Sequence, residues 1–302
     1  MIANPKIALS TPGSISGPYF SLHLKPAMRN EIAEYDQPDK LFVVADIEGN
    51  FQAFSKILIK NGIIDKYYKW VFGDGHLVIV GDCFDRGEQV IECLWLIYSL
   101  EEKAKMKGGY VHFILGNHEI MNMNGDWRYV HPKYAEKRPN SKNPATALYY
   151  GNSELWYWLC TKNIVERIGN TLFVHGGISL ELLKLNLTTA EINNISRPYY
   201  TRANEQFTDP ALSIIFNSDN SPFWYRGYYQ QPIKESQIDE ILAHFKVQTI
   251  VTGHTMVAQV TSFFNGKVID VDTDHAAGIS EGLLIRNNRY YRIKNGQRER
   301  IK

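Results

Sequence analysis

The stretch Leu77-Val-Ile-Val-Gly-Asp-Cys-Phe-Asp-Arg-Gly87 passes in one step from an unbroken apolar run to a loop crowded with charge. Consecutive aliphatic residues with no polar alternate suit a strand buried on both faces. Gly81-Asp82 ends that strand, and a long helix is predicted over about 88–106, stopped by Gly108-Gly109. The same unit occurs on either side. Upstream, Leu41-Phe-Val-Val-Ala45 runs into Asp46-Ile-Glu-Gly-Asn50, followed by helical apolar spacing at 51–59 that closes at Asn61-Gly62. Downstream, an apolar run at 111–115 leads into Gly116-Asn-His-Glu119 and a short helical segment. Further apolar runs at 171–174 and 249–252 precede His175-Gly-Gly177 and Gly253-His-Thr255. Short strands are predicted at 267–271, 283–286 and 290–293, with turns at Asn265-Gly266 and Asn287-Asn288. Strand–helix alternation followed by strands alone predicts an α/β fold: a central mixed β-sandwich flanked by helices. Each polar cluster falls just past a strand, where ligand sites of α/β sheets form, at the carboxyl ends.

Residues 1–38 are poorly periodic and read as an N-terminal extension packed on a main domain of 39–302; within it, alternation at 19–24 predicts a half-exposed strand. Residues 125–151 form a long segment rich in Tyr, Lys, Arg, Asn and Pro, and loops of that length are uncommon without a function. Its basic and aromatic residues, Arg128, Lys133, Lys137, Arg138, Lys142, Trp127 and Tyr129 among them, suit a cover over an anionic or aromatic phosphosubstrate.

Composition narrows the classes. A hydrophobic fraction of 44% is ample for a core, which argues against bulk disorder. With 33 basic against 32 acidic residues the net charge is +1, so no global basic field points to nucleic acid. Cys83, Cys93 and Cys160 make neither a disulfide framework nor a zinc signature. No run approaches the roughly 20 apolar residues of a membrane span. The opening Met1-Ile-Ala-Asn-Pro5 lacks a basic region followed by an apolar one. The expectation is a soluble chain without membrane or nucleic-acid partners, cytoplasmic, or periplasmic where a signal peptide has been removed.

The five polar clusters together supply what phosphoryl transfer to water requires: oxygen and nitrogen metal ligands, an arginine and an acid. A catalytic metal pair needs a bridging carboxylate with ligands on either side. Asp82, central in the series, is the best bridge; Asp46 and Glu48 complete a first metal, and Asn117, His175 and His254 a second. Arg86, inside the Gly-Asp-x-x-Asp-Arg-Gly run, suits a bidentate phosphate clamp. His76 and His112 are most simply structural, and Asp272, Asp274 and His275 suit either the site's lining or a polar loop.

These segments resemble the phosphoprotein-phosphatase branch of the calcineurin-like metallophosphoesterases, over residues 41 to about 275. Residues 116–130, Gly-Asn-His-Glu-Ile-Met-Asn-Met-Asn-Gly-Asp-Trp-Arg-Tyr-Val, look especially like the bacterial Shewanella-like phosphatases, as does Ser221-Pro-Phe-Trp-Tyr-Arg-Gly227. The resemblance implies a β-sandwich flanked by helices and the ligand roles given above. It also makes His118 the general acid for the leaving alkoxide, Asp85 its orienting partner, Arg226 a second phosphate clamp, and Asn117 a phosphate-side residue as well as a ligand. One position departs. The family's first motif is Asp-x-His, and this chain has Asp46-Ile47-Glu48. A carboxylate there is a harder donor than imidazole, favours Mn or Mg, and adds a negative charge that leaves a bridging water less acidic.

The function expected is a metal-dependent phosphomonoester hydrolase using two divalent ions, Mn first and Fe, Zn or Mg as the other candidates. Attack is in line, by a metal-bridging hydroxide, on a phosphorylated protein, peptide or small molecule, phosphotyrosine included. One rival is a dinucleoside-polyphosphate or cyclic-phosphodiester hydrolase. The similar asymmetrical dinucleoside tetraphosphatases lack an acidic residue before the motif Arg, whereas Asp85 is present here. Many diesterases carry Gly-His-x-His, where this chain has Met256. The other rival is a regulatory protein on a decayed phosphatase fold, which only Glu48 supports. The sequence carries no signal of oligomeric state.

Overall fold

The computed structural model describes residues 6–9, 20–135, 151–230 and 233–302. Part of the predicted strand at 19–24 lies within them, as Phe20–His23, while Tyr19 and residues 136–150 of the long basic segment lie outside.

Two six-stranded sheets form the centre. Strands are β1 (Lys6–Leu9), β2 (Phe20–His23), β3 (Glu34–Tyr35), β4 (Lys40–Val44), β5 (His76–Val80), β6 (Tyr110–Ile114), β7 (Val165–Ile168), β8 (Thr171–Val174), β9 (Thr249–Thr252), β10 (Thr261–Phe263), β11 (Val268–Asp270), β12 (Glu281–Arg286), β13 (Arg289–Lys294) and β14 (Gln297–Arg300). One sheet runs β14-β13-β12-β4-β5-β6 and the other β10-β11-β9-β8-β7-β3, while β1 and β2 pair separately. Within the first, β4, β5 and β6 are parallel; within the second, β8, β9 and β11 are parallel. Parallel neighbours need crossovers, and in the first sheet helices α1 (Phe51–Lys60) and α2 (Val90–Lys105) supply them.

The unbroken apolar runs follow from this layering. Leu41, Val43, Ala45, Val78 and Val80 face the second sheet, packing with Ile168, Phe173, Val251 and Ile269. The alternate residues Phe42, Val44, Leu77 and Ile79 belong to the core beneath the helices, with Phe54, Leu58, Leu94 and Ile97. α1 starts at Asn50, whose side chain accepts from Ala53 N at 3.2 Å. The hairpin β12–β13 turns through Asn287 and Asn288, both at positive φ (52° and 56°), as a two-residue primed turn demands.

Residues 25–35 are tied to the rest of the structure at several places. β3 adds to the edge of the second sheet beside β7. Lys25 Nζ lies 2.9 Å from Glu101 Oε2 on α2. Glu101 Oε1 also holds Lys162 Nζ at 2.7 Å and Trp158 Nε1 at 2.9 Å, and Lys162 reaches Glu31 at 3.0 Å. Lys162 and Glu101 are each 1% exposed, so neither charge can fall back on water. Removing one member of a buried pair leaves the other uncompensated, at about 3–5 kcal/mol. Lys25 still faces Glu101, so Lys162→Met is expected near the lower end, about 3 kcal/mol, as a lowered urea midpoint at unchanged m-value. A change below about 1 kcal/mol would show that the Lys25 pairing suffices.

Candidate metal centre

The carboxyl ends of both sheets meet, and their loops are zipped by backbone hydrogen bonds. Asp46 N donates to Gly81 O (3.1 Å), Glu48 N to Asp82 O (2.9 Å) and Gly87 N back to Glu48 O (2.9 Å). Within the second sheet, Gly253 N donates to His175 O at 2.9 Å, and across the sandwich His254 N donates to the Asp46 carboxylate at 3.2 Å. Six residues of these loops adopt left-handed backbone without being glycine: Asp46 (φ 49°), Glu48 (49°), Asp82 (54°), Asp85 (69°), Arg86 (54°) and His254 (68°). Such conformations cost of order 1–3 kcal/mol each and persist where the surroundings over-determine them. Gly81 shows why space is short: a Cβ there would stand 2.5 Å from His175 Nδ1 and 2.8 Å from Gly116 Cα.

The potential ligand atoms of Asp82, His175 and His254 lie within 4.8 Å of one another, all buried. His175 Nε2 is 3.1 Å from Asp82 Oδ2 and 2.9 Å from Asn117 Oδ1, while its Nδ1 lies 2.7 Å from Val80 O. A carbonyl only accepts, so Nδ1 carries a proton. Nε2 then faces two oxygens, an arrangement that asks for a positive charge, either a second proton or a cation. The His175 pKa is raised accordingly: burial lowers it, but the Asp82 charge and hydrogen bond outweigh burial. His254 Nε2 is buried with no hydrogen-bond partner, and burial followed by the neighbouring His175 holds its ring neutral, lone pair available. Asp82 stays below the usual carboxylate range, because His175 and His118 overcome the upward push of burial. Asp46 is driven up by burial and by Asp272 and Asp82, and burial foremost pushes Asp272 up to about 6. Crowded buried carboxylates beside a partnerless imidazole nitrogen fit a multivalent cation.

Of the other sequence-predicted ligands, Asp46 is buried with its carboxylate on His254 N, and Asn117 opens helix α3 (Asn117–Met123) with its Oδ1 on His175. The Glu48 carboxylate is ion-paired with the Arg86 guanidinium; neither Asp46 nor Glu48 belongs to the tight three-residue group. His118 N donates to Asp82 Oδ1 at 3.0 Å, its Nδ1 lies 2.6 Å from Asp85 Oδ2, and its Nε2 is 3.8 Å from Asp82 Oδ2. Burial lowers the His118 pKa, but the charge of Asp82 and the hydrogen bond of Asp85 more than reverse this. Arg226 Nη1 donates to His254 O (2.7 Å) and Thr255 Oγ1 (3.2 Å).

Two residues of the centre, Glu119 and Asn122, were given no role by the sequence reading. Glu119, wholly buried, accepts from Gly116 N (2.7 Å), Asp82 N (2.8 Å) and Cys83 N (2.7 Å), so one carboxylate shapes two loops. Its position three residues into α3 after Gly116 is the available signal, half of a capping box. Asn122 donates to Asp85 Oδ1 at 2.8 Å and fixes the partner of His118. Tyr129, named from the sequence in the basic and aromatic segment, sets its ring 5.4 Å from the His118 ring. Of the residues left open between site and loop, Asp272 is buried among these carboxylates, whereas His275 bonds to Ser280 Oγ. His76 and His112 bond one another away from the centre, and His112 continues to Glu166.

The calcineurin-like phosphoesterase family model matches residues 40–258, and the chain belongs to that family. It is 36% identical to the cold-active protein-tyrosine phosphatase of a psychrophilic Shewanella species, with a TM-score of 0.90 over 98% of this chain and 90% of that one. It is also 25% identical to Shewanella-like protein phosphatase 2 of Arabidopsis thaliana, over 89% of this chain and 80% of the relative. Shewanella-like protein phosphatase 1 of Plasmodium berghei is 29% identical, over 78% of this chain and 66% of its own length. The two-sheet fold expected from the sequence is thus the metallophosphoesterase fold, and the protein is a phosphatase that binds divalent metal ions and acts on phosphorylated substrates. Among the described residues, no helix is long and apolar enough to cross a membrane.

Asp82→Asn removes the charge around which the group converges, so elemental analysis after mild dialysis should find most divalent metal lost. Retention of the wild-type metal content would place the ions elsewhere.

Proposed function

We propose that the chain is a phosphomonoesterase of phosphoproteins or phosphopeptides, phosphotyrosine among them, working with two divalent ions, manganese first. Asp46, Glu48 and Asp82 would hold one ion, and Asp82, Asn117, His175 and His254 the other. Bound there, the ions supply positive charge against the phosphoryl oxygens and bring the pKa of coordinated water toward neutrality. The observation that carries the reading is the relay Asn122–Asp85–His118 beside the buried Asp82–His175–His254 group.

In this reading, water adds to phosphorus as the ester P–O bond breaks and sheds a proton to solvent, while the leaving oxygen takes its proton from His118 Nε2, which solvent then reprotonates. Asp85 on Nδ1 fixes the ring so that Nε2 faces the site, and it stabilises the imidazolium before transfer. Arg86 and Arg226, the latter anchored on the His254 carbonyl, hold the equatorial phosphoryl oxygens, with the Asn117 side chain beside them. The monoester preference is supported by Asp85, the acidic residue before the motif arginine.

General acid catalysis contributes about 10²–10⁴ in rate, and activated leaving groups need little of it. His118→Asn should therefore cost an alkyl phosphate about 100-fold more than nitrophenyl phosphate, with Asp85→Asn following the same trend more mildly. Equal losses on both substrates would remove His118 from the role of acid.

For Glu48, Glu48→Ala should raise the metal concentration required for activity, and Glu48→His should keep activity while shifting metal preference. Calorimetric metal titration checks both. Unchanged metal affinity in both variants would exclude Glu48 as a ligand.

A further inference from the structure

We infer that Tyr129 is the platform for the leaving group and selects phosphate esters of aromatic alcohols, such as phosphotyrosine, over alkyl esters such as phosphoserine. The inference rests on the reading of His118 as the acid. The oxygen that His118 protonates must come within hydrogen-bond reach of Nε2, so the first carbons of the leaving group lie against whatever flanks that imidazole. The Tyr129 ring flanks it, with centroids 5.4 Å apart and planes inclined by 55°. His118 is buried, but Tyr129 is 46% exposed, so part of its ring is open to solvent at the edge of the acid.

That ring is held in register with the phosphate clamp. Arg86 N donates to Tyr129 O at 2.9 Å, so the residue proposed to grip the phosphate and the residue beside the leaving group share a backbone bond. On its other side, the Arg128 guanidinium lies 5.6 Å from the Tyr129 ring centre and is itself held by the Asp126 carboxylate through contacts of 2.7–3.0 Å. Trp224, also exposed, packs edge-on against His254 at 5.5 Å and so borders a metal-side imidazole instead of the acid. A tyrosine leaving group carries its ring directly on the departing oxygen, within reach of Tyr129. A serine leaving group offers a single methylene there before the peptide backbone begins, and has no ring to stack.

Aromatic pairing of this kind corresponds to about 2- to 10-fold in affinity. Two peptides of one sequence, carrying phosphotyrosine or phosphoserine, are to be compared with the metal-loaded enzyme and its Tyr129→Ala and Tyr129→Phe variants. Tyr129→Ala should lower kcat/KM on the phosphotyrosine peptide about 3- to 10-fold, chiefly through KM, and change the phosphoserine peptide less than about 2-fold; Tyr129→Phe should restore the preference. Independently of turnover, calorimetry should show Tyr129→Ala weakening phenylphosphonate but not methylphosphonate. Equal losses on both peptides, or phosphonate affinities that move together, would overturn the inference. A wild-type enzyme that hydrolyses neither peptide would overturn the protein-substrate reading alone, and the phosphonate comparison would still decide the role of Tyr129.

Discussion

The Asp82 carboxylate is a full negative charge buried at the seam of two sheets, and most of the polar architecture around it compensates that charge. One oxygen accepts from His118 N, and the other faces His175 Nε2. Its own backbone N–H is taken by Glu119, which binds three further amides of the two loops. Gly116 lies so close to Asp82 Oδ1 that a side chain there would displace the carboxylate. A buried charge of this kind is tolerated only with partners fixed in place. The loops are therefore tied to one another before any substrate arrives, and rigid positioning of charge is the larger part of what phosphoryl transfer asks of a protein.

That rigidity has a backbone cost. Left-handed conformations at Asp46, Glu48, Asp82, Asp85, Arg86 and His254 sacrifice stability at six positions that share one seam. The offset lies in the sheets behind them, where the strands leading into the loops are buried on both faces. The metallophosphoesterase centre is thus a strained layer on a rigid base. Substitutions in the strands act through stability, and those in the loops through chemistry.

Legibility in the sequence followed the physics. Strands β4, β5, β8 and β9 could be read because burial on both faces leaves unbroken apolar runs, and the polar clusters could be placed because each follows such a run. Helix α2 was read one or two residues long at each end, since Glu88 and Gln89 carry no capping signal. β14, Gln-Arg-Glu-Arg, could not be read: all four residues are exposed, and only its pairing with β13 makes it a strand. β7 interrupts its apolar residues with Glu166 and Arg167, whose polar groups are met by His112 and Glu34 from distant segments. Glu119 hid for the same reason, since two of its partners are backbone amides 36 and 37 positions away.

Glu48 is where this chain parts from the usual motif, and its surroundings give the change a physical meaning. Neutral imidazole at this place could not ion-pair with Arg86, whereas the carboxylate does. A guanidinium has five N–H donors arranged as a fork, enough to meet a carboxylate along one edge and phosphate along another. A carboxylate has two oxygens, enough to face an arginine and a metal together. Gly87, next to Arg86, also donates its N–H to Glu48 O, which ties the two loops together at the ion pair. In the proposed mechanism, the exchange of imidazole for carboxylate makes the metal a weaker electrophile and at the same time links the ligand loop to the phosphate clamp. The charge that weakens one element of catalysis orients another.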